Sequence, residues 1–142
     1  MTAGPAAAPL AETPRDPAPI AMRVAVDARR AADFAREIGA DPHTVSLAYP
    51  ALWLTEPAVR AAVTRICEEA DAVPVHEAQR FAYDKPLAIG AVYDLVVTLR
   101  REAKPPRLVL EASLTTPEGA PVGRCETVLR IVPRAGLPKG GA

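Results

Sequence analysis

Between the most regular helical pattern in the chain and a run of alternating residues lies the stretch Pro74 to Gly90, Pro-Val-His-Glu-Ala-Gln-Arg-Phe-Ala-Tyr-Asp-Lys-Pro-Leu-Ala-Ile-Gly. It restricts the possible folds more than any other segment. Its first half alternates, placing Glu77, Gln79, Phe81 and Tyr83 on one face of a strand and His76, Ala78, Arg80 and Ala82 on the other. Two differently lined faces imply a sheet with something packed on one side of it. Pro86 cannot donate to a β-ladder and Gly90 accommodates a tight bend, so the strand must end and the chain turn. The helix before the stretch is expected to pack on this strand, and the strand after it to pair with it.

That helix carries strong start signals. Thr55 reads as its cap, with Glu56 and Pro57 in the first turn, where a carboxylate meets the positive dipole end and a missing N–H costs little. Val59, Ala62, Val63, Ile66, Cys67 and Ala70 fall on one continuous face, opposite Arg60, Thr64, Arg65, Glu68 and Glu69. A helix of about 15 residues is marginal alone in water. Burying Val59, Val63 and Ile66 is worth roughly 1.5 to 3 kcal/mol each before entropy, so the helix needs a sheet to lie on. Three alternating runs supply it: Val92 to Arg101 with Leu95, Val97 and Leu99 on one face, Arg107 to Thr115 with Leu108, Leu110, Ala112 and Leu114, and Arg124 to Val132 with Cys125, Thr127, Leu129 and Ile131. Lys104-Pro105-Pro106 and Pro117-Glu118-Gly119 are turn signals, and connections this short make neighbouring strands antiparallel.

Upstream, Ile20 to Val26 alternates weakly as a short strand, Asp27 caps a first helix reaching Gly39, and Ala40 to Leu54 reads as an apolar loop holding Tyr49 and Trp53. Residues 1–19 carry five prolines among alanines and too little apolar bulk to offset ordering entropy, so a disordered tail is expected there and another after Pro133. The domain is thus 20–133: α+β, a strongly bent antiparallel sheet around one central helix, which is the hotdog arrangement.

The 142 residues, 49% hydrophobic, suffice for one core rather than two. Seventeen basic side chains balance seventeen acidic ones and no basic stripe appears, so nucleic acid is an unexpected partner. No apolar run approaches the roughly 20 residues a membrane-crossing helix needs, and Pro5 and Pro9 interrupt a start that lacks a basic segment; a soluble cytoplasmic protein is expected. Cys67 and Cys125 both fall on apolar faces outside any spaced ligand set, which fits two reduced core thiols rather than a disulfide or a metal site. Phosphate loops, zinc spacings and nucleophile elbows are absent from the sequence, and no cofactor is expected.

Within this order of elements, Pro74 to Leu87 resembles a pattern of MaoC-like hotdog proteins, in which a His leads a strand, a Gln and two aromatics follow, and a Pro ends it before a Gly turn. The similarity is to the non-catalytic N-terminal half of double-hotdog (R)-specific enoyl hydratases and to the non-catalytic subunits of heteromeric 3-hydroxyacyl thioester dehydratases. It extends over Ile20 to Pro133, with Phe34 to Gly39 as the end of the first helix and Ala48 to Leu54 as the lead into the central one. The resemblance implies an acyl-coenzyme A or acyl carrier protein thioester as ligand, and a homodimer or a heterodimer with a catalytic MaoC subunit. Catalytic members carry a Gly-Asp-x-Asn-Pro-x-His loop that this chain lacks. Its nearest string, Gly39-Ala-Asp-Pro-His43, holds Asp41 and His43 two residues apart rather than five.

Candidate residues follow. Tyr49, Trp53, Phe81 and Tyr83 could line an acyl tunnel, although buried aromatics are commonly plain packing. His76 could contact ligand or act as an acid, where a lone His at a strand start more often bonds a carbonyl. Glu56 sits where some hotdog thioesterases keep a water-activating carboxylate, against the commoner role of a helix-dipole partner. A self-contained thioesterase using Glu56, or a binding dimer without chemistry, are the alternatives to a hydratase or dehydratase component.

Overall fold

The computed structural model describes residues 16–136, and the expected tails lie almost wholly outside that range. Five strands form one antiparallel sheet: β1 (Ile20–Ala25), β2 (Ala72–Tyr83), β3 (Val92–Ala103), β4 (Pro106–Thr115) and β5 (Pro121–Pro133). Their spatial order is β1-β3-β4-β5-β2. Two helices join them, α1 (Ala28–Glu37) and the central α2 (Pro57–Glu69), with a 3-10 helix over Tyr49–Thr55 between.

Local chemistry sets the helix ends. The Asp27 carboxylate accepts from the Arg30 N–H at 2.7 Å, capping α1. Gly39, at φ 77°, turns the chain back, and the Ala40 N–H reaches the Ala35 carbonyl at 2.7 Å. For α2 the capping residue is Glu56, not Thr55. The Thr55 hydroxyl points backward, donating to the Leu52 carbonyl at 2.6 Å and closing the 3-10 helix, while the Glu56 carbonyl accepts from Val59 and Arg60 N–H groups, each at 3.0 Å. Pro57 takes the first helical position, as its missing donor allows. The segment read as a loop is helical for seven residues because Pro50 sits in its first turn and its apolar side chains have a core to enter.

The core lies between α2 and one face of the sheet. Val59, Ala62 and Ile66 from α2 join Leu95, Val97 and Leu99 of β3 and Leu108, Leu110, Ala112 and Leu114 of β4. At roughly 1.5 to 3 kcal/mol per large side chain, this burial is what makes a 13-residue helix stable. Cys67 and Cys125 are both free and buried.

Two sequence expectations about β2 fail. First, β2 pairs with β5 and not with β3, which follows it in the chain. The connection 84–91 carries the chain to the other edge, where the Gly90 N–H donates to Val26 at 2.8 Å and the Val26 N–H to Ala91 at 3.0 Å, seating β3 beside β1. Second, the alternation breaks. The register shifts between His76 and Ala78, so His76 lies opposite Leu129 and Ala78 opposite Val128 with Glu77 left over, a β-bulge. Glu77 therefore joins Ala78 and Arg80 on the outer face, and His76 moves to the face of Gln79 and Phe81.

Candidate functional site

The inner face of the sheet is not uniformly filled. Beside β2 a cavity of about 520 Å³ remains between α2 and the sheet, within the range of small-molecule sites. The 3-10 helix contributes Ala51, Leu54 and Thr55 to its wall, and α2 contributes Arg60, Val63 and Thr64. The sheet contributes Leu110, Leu129 and three polar side chains, His76, Gln79 and Thr127. A larger depression of about 670 Å³ on the sheet is bordered by Arg80, Thr98, Glu111, Arg124 and Glu126 together with the apolar Phe81 and Val96. Arg80 and Glu126 there pair with each other across the exposed rim.

The three polar side chains that the sheet contributes are bonded in a row. The Thr127 hydroxyl donates to Gln79 Oε1 at 2.8 Å, and His76 Nε2 lies 3.1 Å from the same oxygen. Gln79 Nε2 donates to the Glu126 carbonyl at 3.2 Å and approaches Cys125 Sγ at 3.8 Å. Thr127 is only 7% exposed, the sole buried polar side chain among the described residues. A hydroxyl and an amide on the core face of a sheet cost free energy unless satisfied, and here each satisfies the other. Burial pushes the Cys125 thiol up to about 11, the Gln79 contact opposing the shift, so it is a packing group rather than a nucleophile.

On the outer face the bulge is clamped. Glu77 Oε1 accepts from Arg107 Nε at 2.6 Å and Oε2 accepts from Arg130. The Arg107 hydrogen bond is the main reason that the Glu77 carboxyl lies below its ordinary range, with Arg130 adding to it and partial desolvation opposing it.

The other candidates lie elsewhere. Tyr49 and Trp53 are 0% and 1% exposed. They stack edge to face at 5.3 Å, and Phe34 and Tyr93 extend the cluster at 6.1 and 6.4 Å. Neither lines the cavity. Tyr83 donates its hydroxyl to the Leu47 carbonyl, and burial holds its phenol far above the ordinary value. Phe81 packs against the core opposite Cys125. Glu56 faces Arg30 at 3.4 Å and does not border the cavity, although its neighbour Thr55 does. The Asp41 carboxylate accepts from the His43 N–H at 2.9 Å in an exposed turn, and neither residue borders the cavity. Of the residues singled out from sequence, only His76 is at the cavity. Gln79 and Thr127 were assigned only to strand faces, because their significance depends on β5 lying beside β2.

The arrangement is the hotdog fold, an α+β domain, and solved structures bear it out. A C-terminally truncated HadBC complex, a 3R-hydroxyacyl-ACP dehydratase from Mycobacterium tuberculosis, matches with a TM-score of 0.62 at 16% identity, over 83% of this chain and 98% of that one. A hot-dog-like protein from Thermanaerovibrio acidaminovorans matches at 0.61 and 20% identity, over 83% of each chain. A hypothetical thioesterase from Streptococcus pneumoniae, solved with coenzyme A, matches at 0.55 and 12% identity, over 84% of this chain and 85% of that one. No family model and no curated protein sequence matches the chain.

Proposed function

We propose that this chain is the acyl-binding member of a MaoC-like acyl-thioester hydratase or dehydratase that acts together with a catalytic hotdog subunit. One observation carries the reading. The cavity beside β2 mixes apolar side chains with Thr55, Arg60, Thr64, Gln79 and Thr127, and its one imidazole is His76, with no carboxylate among its lining residues. Hydration of an enoyl thioester adds the water oxygen to C3 and a proton to C2, and dehydration reverses both steps. Each direction needs a proton acceptor and a proton donor, and this cavity offers one of the two. The missing group would come from a second chain. β2 is an edge strand of 12 residues, and its unpaired side offers a ladder on which another hotdog sheet can continue. The solved HadBC dehydratase is itself a complex, which supports a reading with a second chain.

The thioesterase alternative draws support from structural neighbours described as thioesterases. Its water-activating carboxylate would be Glu56, which in this chain is engaged with Arg30 outside the cavity. The experiment assays crotonyl-coenzyme A hydration and thioester cleavage by the chain alone and mixed with a MaoC subunit that carries the Asp and His loop. Hydration by the mixture beyond that of the catalytic subunit alone, lost when the cavity is blocked, supports the proposal. Thioester cleavage by the lone chain that disappears in Glu56→Ala replaces it with the thioesterase.

A further inference from the structure

We infer that Gln79 is a positioning residue that holds His76 as its Nε2–H tautomer, so that Nδ1 is the ring atom presented for proton transfer or hydrogen bonding to a ligand. The inference rests on reading the cavity beside β2 as the acyl-thioester site.

The orientation of the Gln79 amide follows from its surroundings. Its Nε2 faces the Glu126 carbonyl at 3.2 Å, an acceptor that a flipped amide oxygen would repel. Oε1 must then be the atom that faces Thr127 and His76. An amide oxygen can only accept, so the Thr127 hydroxyl donates to it at 2.8 Å and the His76 nitrogen 3.1 Å away must carry a hydrogen. A neutral imidazole with its hydrogen on Nε2 has its lone pair on Nδ1, and among the described residues Nδ1 has no partner. When Nδ1 takes up a proton, the Nε2–H bond to Gln79 persists and becomes charge-assisted.

A second feature serves the same end independently. Without the bulge at Glu77, strict alternation would put His76 on the outer face with Ala78 and Arg80. One extra residue, pinned by Arg107 and Arg130, turns the imidazole to the cavity side. An interrupted ladder, a buried hydroxyl and a half-buried amide would each be a cost for a strand with only packing to do. All three converge on one ring.

The chain has two histidines, so ¹⁵N-histidine labelling gives two imidazoles, with His43 as internal control. In the full-length protein above the imidazole titration, long-range ¹H–¹⁵N spectra should show His76 with a pyrrole-type Nε2 and a pyridine-type Nδ1. Gln79→Leu should release the ring to a tautomer mixture like that of exposed His43. Gln79→Glu, which keeps an acceptor oxygen, should retain the Nε2–H form. A mixture in the wild type, or an Nδ1–H form, overturns the inference even if Gln79→Leu fails to fold. Butyryl-coenzyme A is then titrated into the wild type. Displacement of the His76 Nδ1 resonance with His43 unmoved supports both the inference and the reading on which it rests. A fixed tautomer with no displacement supports the hold of Gln79 and removes the cavity as the acyl site.

Discussion

The two halves of the same sheet face are built on opposite terms. On the β1–β3 side the inner face is solid. Tyr93, Leu95 and Val97 share one core cluster with Trp53 and Tyr49, all of them 5% exposed or less, with Tyr49 edge-to-face on Trp53 and Tyr93 tilted against it. On the β5–β2 side the same face is hollow and carries Thr127, Gln79 and His76, where packing alone would select Val, Leu or Ile. Stability is therefore concentrated in one half, and the proposed binding site lies in the other. A domain this small can keep an open groove of about 520 Å³ there because the aromatic half and α2 already supply a continuous apolar cluster.

The largest test of that division is Trp53→Ala. Removal of a buried indole should cost about 3 to 5 kcal/mol, read as a lower urea midpoint with little change in slope. A loss under about 1 kcal/mol would erase the contrast between the halves. Val63→Trp acts on the other side, projecting from α2 into the cavity. Butyryl-coenzyme A affinity should fall by more than about tenfold, roughly 1.4 kcal/mol, while stability moves far less than in Trp53→Ala. Calorimetric titration and urea unfolding on the same preparation separate the two effects. Thr127→Val should cost about 0.5 to 1.5 kcal/mol, the usual net worth of one hydrogen bond, and should loosen His76 through Gln79. A gain in stability with unaltered His76 resonances would mean that the hydroxyl is incidental.

The aromatic half was more legible than the hollow one for a physical reason. Packing arises from periodicity, and periodicity is local: the apolar face of α2, the Asp27 cap, the Gly39 stop and the inward residues of β3, β4 and β5 all follow from spacing along the chain. The cavity depends on what the chain does across strands. Gln79 meets Thr127 because β2 lies against β5, a pairing 48 residues apart that no local pattern encodes. The bulge was hidden for a related reason. His76 to Tyr83 reads as unbroken alternation, and only the ladder with β5 reveals the residue left over. Thr55 looked like a cap because threonine before Glu-Pro often is one, yet a helix preceded it and its hydroxyl had a nearer carbonyl. Tyr49 and Trp53 were read as acyl-tunnel lining with plain packing as the alternative, and they lie buried in the packed half without bordering the cavity.

The finest probe lies on the outer surface, at the clamp that holds the bulge. Because Arg107, and after it Arg130, lower the folded carboxyl of Glu77 below its ordinary value of 4.5, folding favours the ionised form. Its contribution to stability is complete above about pH 4.5 and is lost as pH falls through the lower folded value. Glu77→Gln should therefore narrow the stability difference between pH 7 and pH 3, measured by urea unfolding at both. The change should be modest, because Glu77, Arg107 and Arg130 all keep partial contact with solvent and salt screens them. The same variant sharpens the comparison between the halves. If the clamp only braces the surface, the His76 resonances stay as they are. If it pins the bulge, the ring loses its fixed tautomer while the aromatic half keeps its urea midpoint to within the small loss at the clamp.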